Sequence, residues 1–430
     1  MRSLPQELIE IIVAHVAKHD DYIARKDLRS VRLVNKAFSH LATVSLFATV
    51  PFWLGLKSLE HLTLISEHPQ ISQYVTKLIF SPVRFVKWKD PYVYQSSVKK
   101  RLERDTFSHN SLALTFGKHV VAYKGYLEAQ IYLSKKQKDL HILVRALRRL
   151  PRMKNVTVAF NDGIIGAQEI MSAFGVLNGN EITFDAEYTL PILVRALIES
   201  QRELEILNLC PAERPEFAFL DLSRMDLCRK VEPGFKYVAE PPEKVTLKAL
   251  NEAFRGSGPD HRLEIINLSR HLREFTLSQL DFNTSELYLL GDTLQPLTSQ
   301  AWQLEAVSIR PVGNDIPAAH DPLLHLNSMF RGSPSFRNLR HLELKLVESP
   351  ASLLLDLFSK NSHSLALVLL HHMRITRGGS WSDLLQKLRS VSFKTLCRFI
   401  LLDCGGVEGL VAAEDYINRI TSKSPIGDLG

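Results

Sequence analysis

His363, His371 and His372 lie close together in this 430-residue chain, and imidazoles so placed can hold zinc or move protons. No cysteine or carboxylate stands beside them at metal-ligand spacing, so they read as strand-edge or surface side chains. The four cysteines, Cys210, Cys228, Cys397 and Cys404, form no Cys-x-x-Cys pair and read as buried small hydrophobes in a reducing compartment. Phosphate cradles are missing too, because Gly378-Gly379 and Gly405-Gly406 are isolated turn glycines without P-loop or dinucleotide-fold spacing. Neither His-Glu-x-x-His nor Gly-x-Ser-x-Gly occurs. No catalytic, cofactor-binding or metal residue is expected, no cofactor is called for, and the chain is expected not to be an enzyme. The residues with something to do are those that bind.

The first such group is apolar. Leu4-Pro5 opens a segment in which Leu4, Leu8, Ile11, Ile12 and Val16 share one helical face. Ser3-x-x-Gln6 has the form of a capping box, Pro5 suits a first turn, and Glu7 and Glu10 favour the helix dipole. Asp27 is placed to cap a second helix carrying Leu28, Val31 and Val34 at three-residue spacing. Asn35 or Ser39 marks a break before a third helix with Ala37, Phe38 and Leu41. Three helices of this size cannot enclose a self-sufficient core, so part of their apolar surface needs cover from elsewhere.

The second group is polar and recurs along the chain. The form apolar-x-x-apolar-x-apolar appears as Met153-x-x-Val156-x-Val158, Leu204-x-x-Leu207-x-Leu209, Leu272-x-x-Phe275-x-Leu277 and Leu304-x-x-Val307-x-Ile309. Leu339-x-x-Leu342-x-Leu344, Leu365-x-x-Val368-x-Leu370 and Leu396-x-x-Phe399-x-Leu401 continue it. Each reads as a strand whose fourth and sixth positions face the core and whose third, fifth and seventh face the other way. That parity selects Glu274, Thr276, Ser278, Ser308, Arg310, His341, Glu343, Lys345, Leu367, Leu369, His371 and Arg398. Helices at about 190–200, 245–255, 351–359 and 381–389 are expected between strands, as stacked units that cover one another's apolar sides.

Upstream, Trp53, Leu56, Leu59, Leu62, Leu64 and Ile65 predict a helix ending near His68-Pro69. Leu59-x-x-Leu62-x-Leu64 also imitates a repeat strand, but Glu60, His61 and Glu67 on the opposite side favour the helix. Val75-x-x-Leu78-x-Phe80 predicts a strand. Residues 83–116 have no clear period, and helices follow at about 118–133 and 139–150. Residues 211–244, with five prolines, read as an inserted loop.

The spacing and identity of Leu4-Pro5, Leu8, Ile12, Leu28, Val31, Val34 and Phe38 resemble the F-box. With the degenerate repeats behind it, the chain resembles F-box/leucine-rich proteins common in filamentous fungi. Phe38 stands where many F-boxes carry Trp, and the stretch His19 to Lys26 makes a longer, more polar gap than usual. The resemblance implies an α/β fold: a small N-terminal three-helix F-box-like module (1–50), a helical linker (51–74), and an irregular leucine-rich-repeat-like solenoid of parallel strands and helices (75–425). It implies a substrate-recognition subunit of an SCF-type (Skp–cullin–F-box) ubiquitin ligase. Leu4, Pro5, Leu8, Ile12, Leu28, Val31, Val34 and Phe38 would bind the Skp-type adaptor, and through it a cullin scaffold. Glu274, Arg310, His341, Glu343, Lys345, Leu369, His371 and Arg398 would face an unknown protein substrate.

Charge fits that division. Residues 1–160 hold 26 Lys and Arg against 12 Asp and Glu, a balance of +14, and the whole chain carries +7, leaving −7 for the remainder. A basic front end suits an acidic partner. The rival reading is a leucine-rich scaffold without ligase duty that contacts nucleic acid through this basic part, but no groove-reading or RNA-binding motif accompanies the charge. No run of 18 apolar residues predicts a membrane span, Glu7, Glu10 and Lys18 break any secretory pattern, and a cytoplasmic or nuclear location is expected.

Overall fold

The computed structural model describes residues 4–17, 22–85, 109–159, 182–209, 247–255, 259–281, 287–312, 323–330, 336–405, 407, 409–421 and 425–426. The chain is mixed α/β and divides into two compact units, the first holding the described residues up to Asp185 and the second those from Ala186 onward. The expected insertion at 211–244 and the Ser3 half of the capping box lie outside the described residues.

The first unit opens with helices α1 (Gln6–Ala17), α2 (Tyr22–Val31) and α3 (Lys36–Ala48). They close on Ile9, Val13, Leu28, Phe38 and Ala42, with Val16, Ala17, Val31, Leu41 and Leu46 packed around them. Asp27 lies inside α2 rather than at its cap, because that helix starts five residues earlier, at Tyr22, and takes up much of the expected polar gap. Asn35 does cap α3, its Oδ1 accepting from the Phe38 N–H at 3.0 Å. Asn35→Ala should therefore cost about 1 kcal/mol, read as an earlier loss of α3 amide protection in hydrogen exchange.

Strand β1 (Thr49–Trp53) follows and pairs in parallel with β2 (Lys77–Ser81), which pairs with β4 (Asn155–Val158). The helix expected to include Trp53 starts only at α4 (Leu56–Glu67). Val50 and Phe52 are buried, and Pro51, which cannot donate to a ladder, stands on the strand at the end of this set. Trp53 folds back over Gly55, where an added Cβ would fall 2.1 Å from the indole, so that close approach requires glycine. Along α4, Leu59 and Leu62 are buried while Leu64 is 65% exposed, the pattern of a helix and not of a repeat strand.

Strand β3 (Val83–Phe85) pairs antiparallel with β5 (Ile182–Phe184). Helix α5 (His109–Ser134) starts nine residues before the expected 118, and Gln130 on it takes both sides of one backbone position: the Phe85 N–H donates to its Oε1 at 2.8 Å and its Nε2 donates to the Phe85 carbonyl at 3.1 Å. Helix α6 (Lys138–Arg148) buries Leu140, Leu143, Val144 and Leu147, the stripe its periodicity predicts.

The second unit is built on one sheet. Strands β6 (Ile206–Leu209), β7 (Glu274–Asp281), β8 (Ala306–Val312), β10 (His341–Lys345), β12 (Leu367–His371) and β14 (Arg398–Leu402) run parallel in that order, and β15 (Leu410–Ala412) closes it antiparallel. Around it lie α7 (Ala186–Glu199), α8 (Leu247–Leu250) with a wider turn to Arg255, α9 (Pro259–Ser269), α10 (Leu287–Thr298), α11 (Leu326–Met329), α12 (Ala351–Lys360), α13 (Trp381–Leu388) and α14 (Glu414–Ile417). All the fourth- and sixth-position residues from Val156 to Leu401 are buried in their strands, across both units.

A smaller parallel sheet joins β9 (Leu324–His325), β11 (Val347–Ser349) and β13 (Arg374–Ile375). The chain reaches it through a recurring turn. Leu346 and His372, each the first residue past a long strand, have φ of 57° and 45°, and Asp403 repeats this after β14 with φ 47°. None is glycine, so each turn holds a bulkier residue in the left-handed region against its preference.

Candidate functional site

Two surfaces carry the residues singled out from sequence. The first is the outer side of the three-helix module. Ile9 and Val13, at helical spacing, point into its core, and Leu8, Ile11 and Ile12 lie elsewhere on α1, among Gln6, Glu7, Glu10 and His15. Leu4, Pro5, Leu8 at 45%, Ile11 and Ile12 at 40% stay exposed, as do Leu33 at 87% and Val34. Leu28 and Phe38, expected to touch the adaptor, lie inside the module's core instead, and Val31 is half-buried against it. Their contribution is to hold the exposed residues in place. Ile11 and Leu33, not among the expected contacts, belong to the exposed set; Ile11 had been read on that face, and Leu33 was hidden by the three-residue spacing of its neighbours.

The exposed charges of the module include Glu7, Glu10, Asp27, Arg29 and Lys36, with Arg32 half-buried. Six of the fifteen exposed large hydrophobic residues among those described fall between Leu4 and Val34, a concentration that ordinary scattered surface residues do not give.

The second surface is the face of the second unit's sheet opposite its core. Strand pairing sets Glu343 beside Ser308 on one side and Leu369 on the other, and Lys345 beside His371. The Ser308 hydroxyl donates to Glu343 Oε2 at 2.7 Å, and Arg310 Nε lies 3.6 Å from the same oxygen, an ion pair just beyond hydrogen-bond length. These positions were expected to face a protein substrate, yet Glu343 is only 8% exposed and Ser278 2%. Strands flank Glu343 on both sides, and its neighbours hold its carboxylate down among them. Glu274 and Arg398 share the register row of His341 but sit four strand steps apart, roughly 19 Å, so both lie at the margins of this cluster.

Burial pushes the imidazoles of His341 and His371 below their ordinary range; for His371 the cations Lys345, His372 and Arg310 add to this, while Glu343 opposes it. A histidine depressed in the folded state stabilises the fold above its unfolded value and loses that contribution as pH falls through the folded one. The second unit should therefore weaken progressively as pH drops below about 6.5. A His341→Asn, His371→Asn double variant should flatten this part of the pH–stability curve, measured by denaturant unfolding.

The three histidines of the sequence reading do not converge. His363 Nε2 meets the Arg337 carbonyl at 2.9 Å, His371 faces the polar sheet surface and His372 occupies the turn beyond it. Among the described residues no group of three or more His, Cys, Asp or Glu is arranged to hold a metal ion, and no helix is long and apolar enough to cross a membrane. Cys404 is buried, which pushes its thiol up to about 11 and leaves it protonated; Cys210 and Cys228 lie outside the described residues. A cleft of about 710 Å³ in the first unit is lined by Glu67, Arg148 and Arg149 among others, but Glu67 is already bridged by Arg145 at 2.7 Å and by Arg149.

Sequence periodicity gave no sign of the row His325–Glu348–Arg374 on the small sheet, where Glu348 sits 2.9 Å from His325 Nδ1 and 3.7 Å from Arg374. Strands of two and three residues are too short to show a period. No protein-family model matches the chain, and no curated protein matches it.

Proposed function

We propose that this chain is the substrate-recognition subunit of an SCF-type ubiquitin ligase, with an F-box-like module that grips a Skp-type adaptor and a leucine-rich-repeat-like array that holds the target. The observation that carries this reading is the apolar outer side of the module: Leu4, Leu8, Ile11, Ile12, Leu33 and Val34 stay exposed while Ile9, Val13, Leu28 and Phe38 form the core beneath them. A cluster of large apolar side chains left exposed outside a core of this kind marks a surface that a partner covers. The basic balance of residues 1–160 suits an acidic protein, which the Skp-type adaptors implied by the resemblance are.

The array supports the second half of the role. Parallel strands at regular register bury their fourth and sixth positions in the core and set Arg310, His341, Glu343, Lys345 and His371, with Leu367 and Leu369, on the other face. In this arrangement the chain contributes proximity: it holds a target near a separately bound conjugating enzyme and donates no acid, base or nucleophile. The test is co-elution of the purified chain with a purified Skp-type adaptor on size-exclusion chromatography. A stable stoichiometric complex is expected; separate elution at micromolar concentrations of both would end the assignment. Salt-sensitive binding to a polynucleotide, with no adaptor complex, would support the scaffold reading instead.

A further inference from the structure

Polar atoms without a hydrogen-bond partner are concentrated on one face of the second unit. Of the ten such buried side-chain atoms among the described residues, four belong to Asn208, Ser278, Arg310 and His341. All four stand on the polar side of the sheet, by strand parity and register. Arg310 Nε is held in the ion pair with Glu343; leaving the other three unpaired costs about 1–3 kcal/mol each, a hydrogen-bonding capacity that a bound segment would satisfy.

The charges on this face say what kind of ligand. Ile309 pairs with Leu344, which sets Arg310 next to Lys345, and Lys345 pairs with His371. Three adjacent strands thus present a guanidinium, an ammonium and an imidazole in a row at their C-terminal ends, spanning roughly 10 Å. Glu343 is the acid nearest this row, and it is already engaged by Ser308 and Arg310. Lys345 makes no ion pair or hydrogen bond among the described residues. No Phe, Tyr or Trp stands on this face of the strands to stack a base, which argues against nucleic acid.

We propose that the row Arg310–Lys345–His371 receives a carboxylate side chain of an extended acidic segment in the target protein, whose backbone is met by Asn208, Ser278 and His341. This rests on reading the sheet face as the recognition wall. Lys345 supplies the unneutralised charge, Arg310 is shared with Glu343, and His371 becomes a third charged donor once an anion lies beside it.

The probe is a short fluorescein-labelled peptide of alternating glutamate and serine, with glutamine–serine and lysine–serine counterparts, measured by fluorescence anisotropy on the full chain. The glutamate peptide is expected to bind, to weaken with added salt and to tighten as pH falls from neutral to mildly acidic. Lys345→Gln should weaken it about tenfold or more, a change that removes a half-exposed side chain without orphaning another charge. His371→Asn should reduce the pH dependence, and the His341→Asn, His371→Asn double variant should remove it, while Lys345 keeps binding at neutral pH. Equal binding of the glutamine peptide, no effect of Lys345→Gln, or no binding of any peptide overturns the assignment. Adaptor co-elution, run on the same preparations, reports on the module alone. A chain that captures the adaptor but ignores the glutamate peptide refutes the ligand class and leaves the receptor role standing; the opposite pair of results does the reverse.

Discussion

A chain carrying Leu8→Asp and Ile12→Asp is expected to lose the Skp-type adaptor altogether while unfolding at the temperature of the parent. Both side chains lie on the outer side of α1, at 45% and 40% exposure, and neither belongs to the module's core cluster. Surface substitutions away from buried features usually change stability by no more than about 0.5 kcal/mol. In a complex the same two positions would be buried, and each carboxylate placed there would have to be desolvated without a partner. That costs several kcal/mol per group, enough to take a micromolar complex beyond detection.

Phe38→Ala gives the necessary contrast. Its ring is buried against Ile9, Val13 and Ala42, and truncating a buried Phe costs about 3–5 kcal/mol. It too should abolish adaptor capture, but through melting of the module, visible as loss of amide protection across α1 and α3. If the double aspartate variant still captures the adaptor, the outer side is not the gripping surface.

The second large effect is on the array. Phe399→Ala should destabilise the second unit by about 3–5 kcal/mol, whereas Leu369→Ala, one register step away on the neighbouring strand and on the other face, should cost about 1 kcal/mol. Phe399 is fully buried and packs edge-on against Phe358 with ring centroids 5.5 Å apart; Leu369 is half-buried beside Glu343. Denaturant midpoints of the two variants measure strand parity directly. Comparable losses would mean that both faces of the sheet are core, and would leave the polar face no role in recognition.

The long parallel strands were legible because each encodes its burial twice over, in the alternation of its last two apolar positions and in the leading Leu or Met two residues before the strand. Helix α4 was legible against its strand-like leucines because charges filled one side of the cylinder. Strand β1 was not: a proline in its middle reads as a break, and only its position at the end of a strand row makes it tolerable. The turns at Leu346, His372 and Asp403 were illegible for the opposite reason, since residues that prefer other conformations occupy left-handed backbone held by contacts distant in sequence: the Leu346 N–H donates to the His371 carbonyl and the His372 N–H to that of Leu402.

Of the expected adaptor contacts, helical periodicity distinguished apolar from polar but could not tell which of two apolar sides faces inward. That is why Leu28 and Phe38 were grouped with Leu8 and Ile12. On the sheet, parity picked out the buried fourth and sixth positions but could not foresee that Glu343 would be held down between Ser308 and Arg310.

The reversed direction of β15 has a practical meaning for engineering. Each preceding strand leaves a ladder into which another of the same orientation could slot, so duplicated modules can in principle be spliced in upstream of Arg398. Beyond Ala412 that grammar stops, since the final strand offers the next copy a mismatched hydrogen-bonding rhythm. Anyone lengthening this sheet should therefore cut into its middle and keep the closing hairpin-like end as a lid on growth.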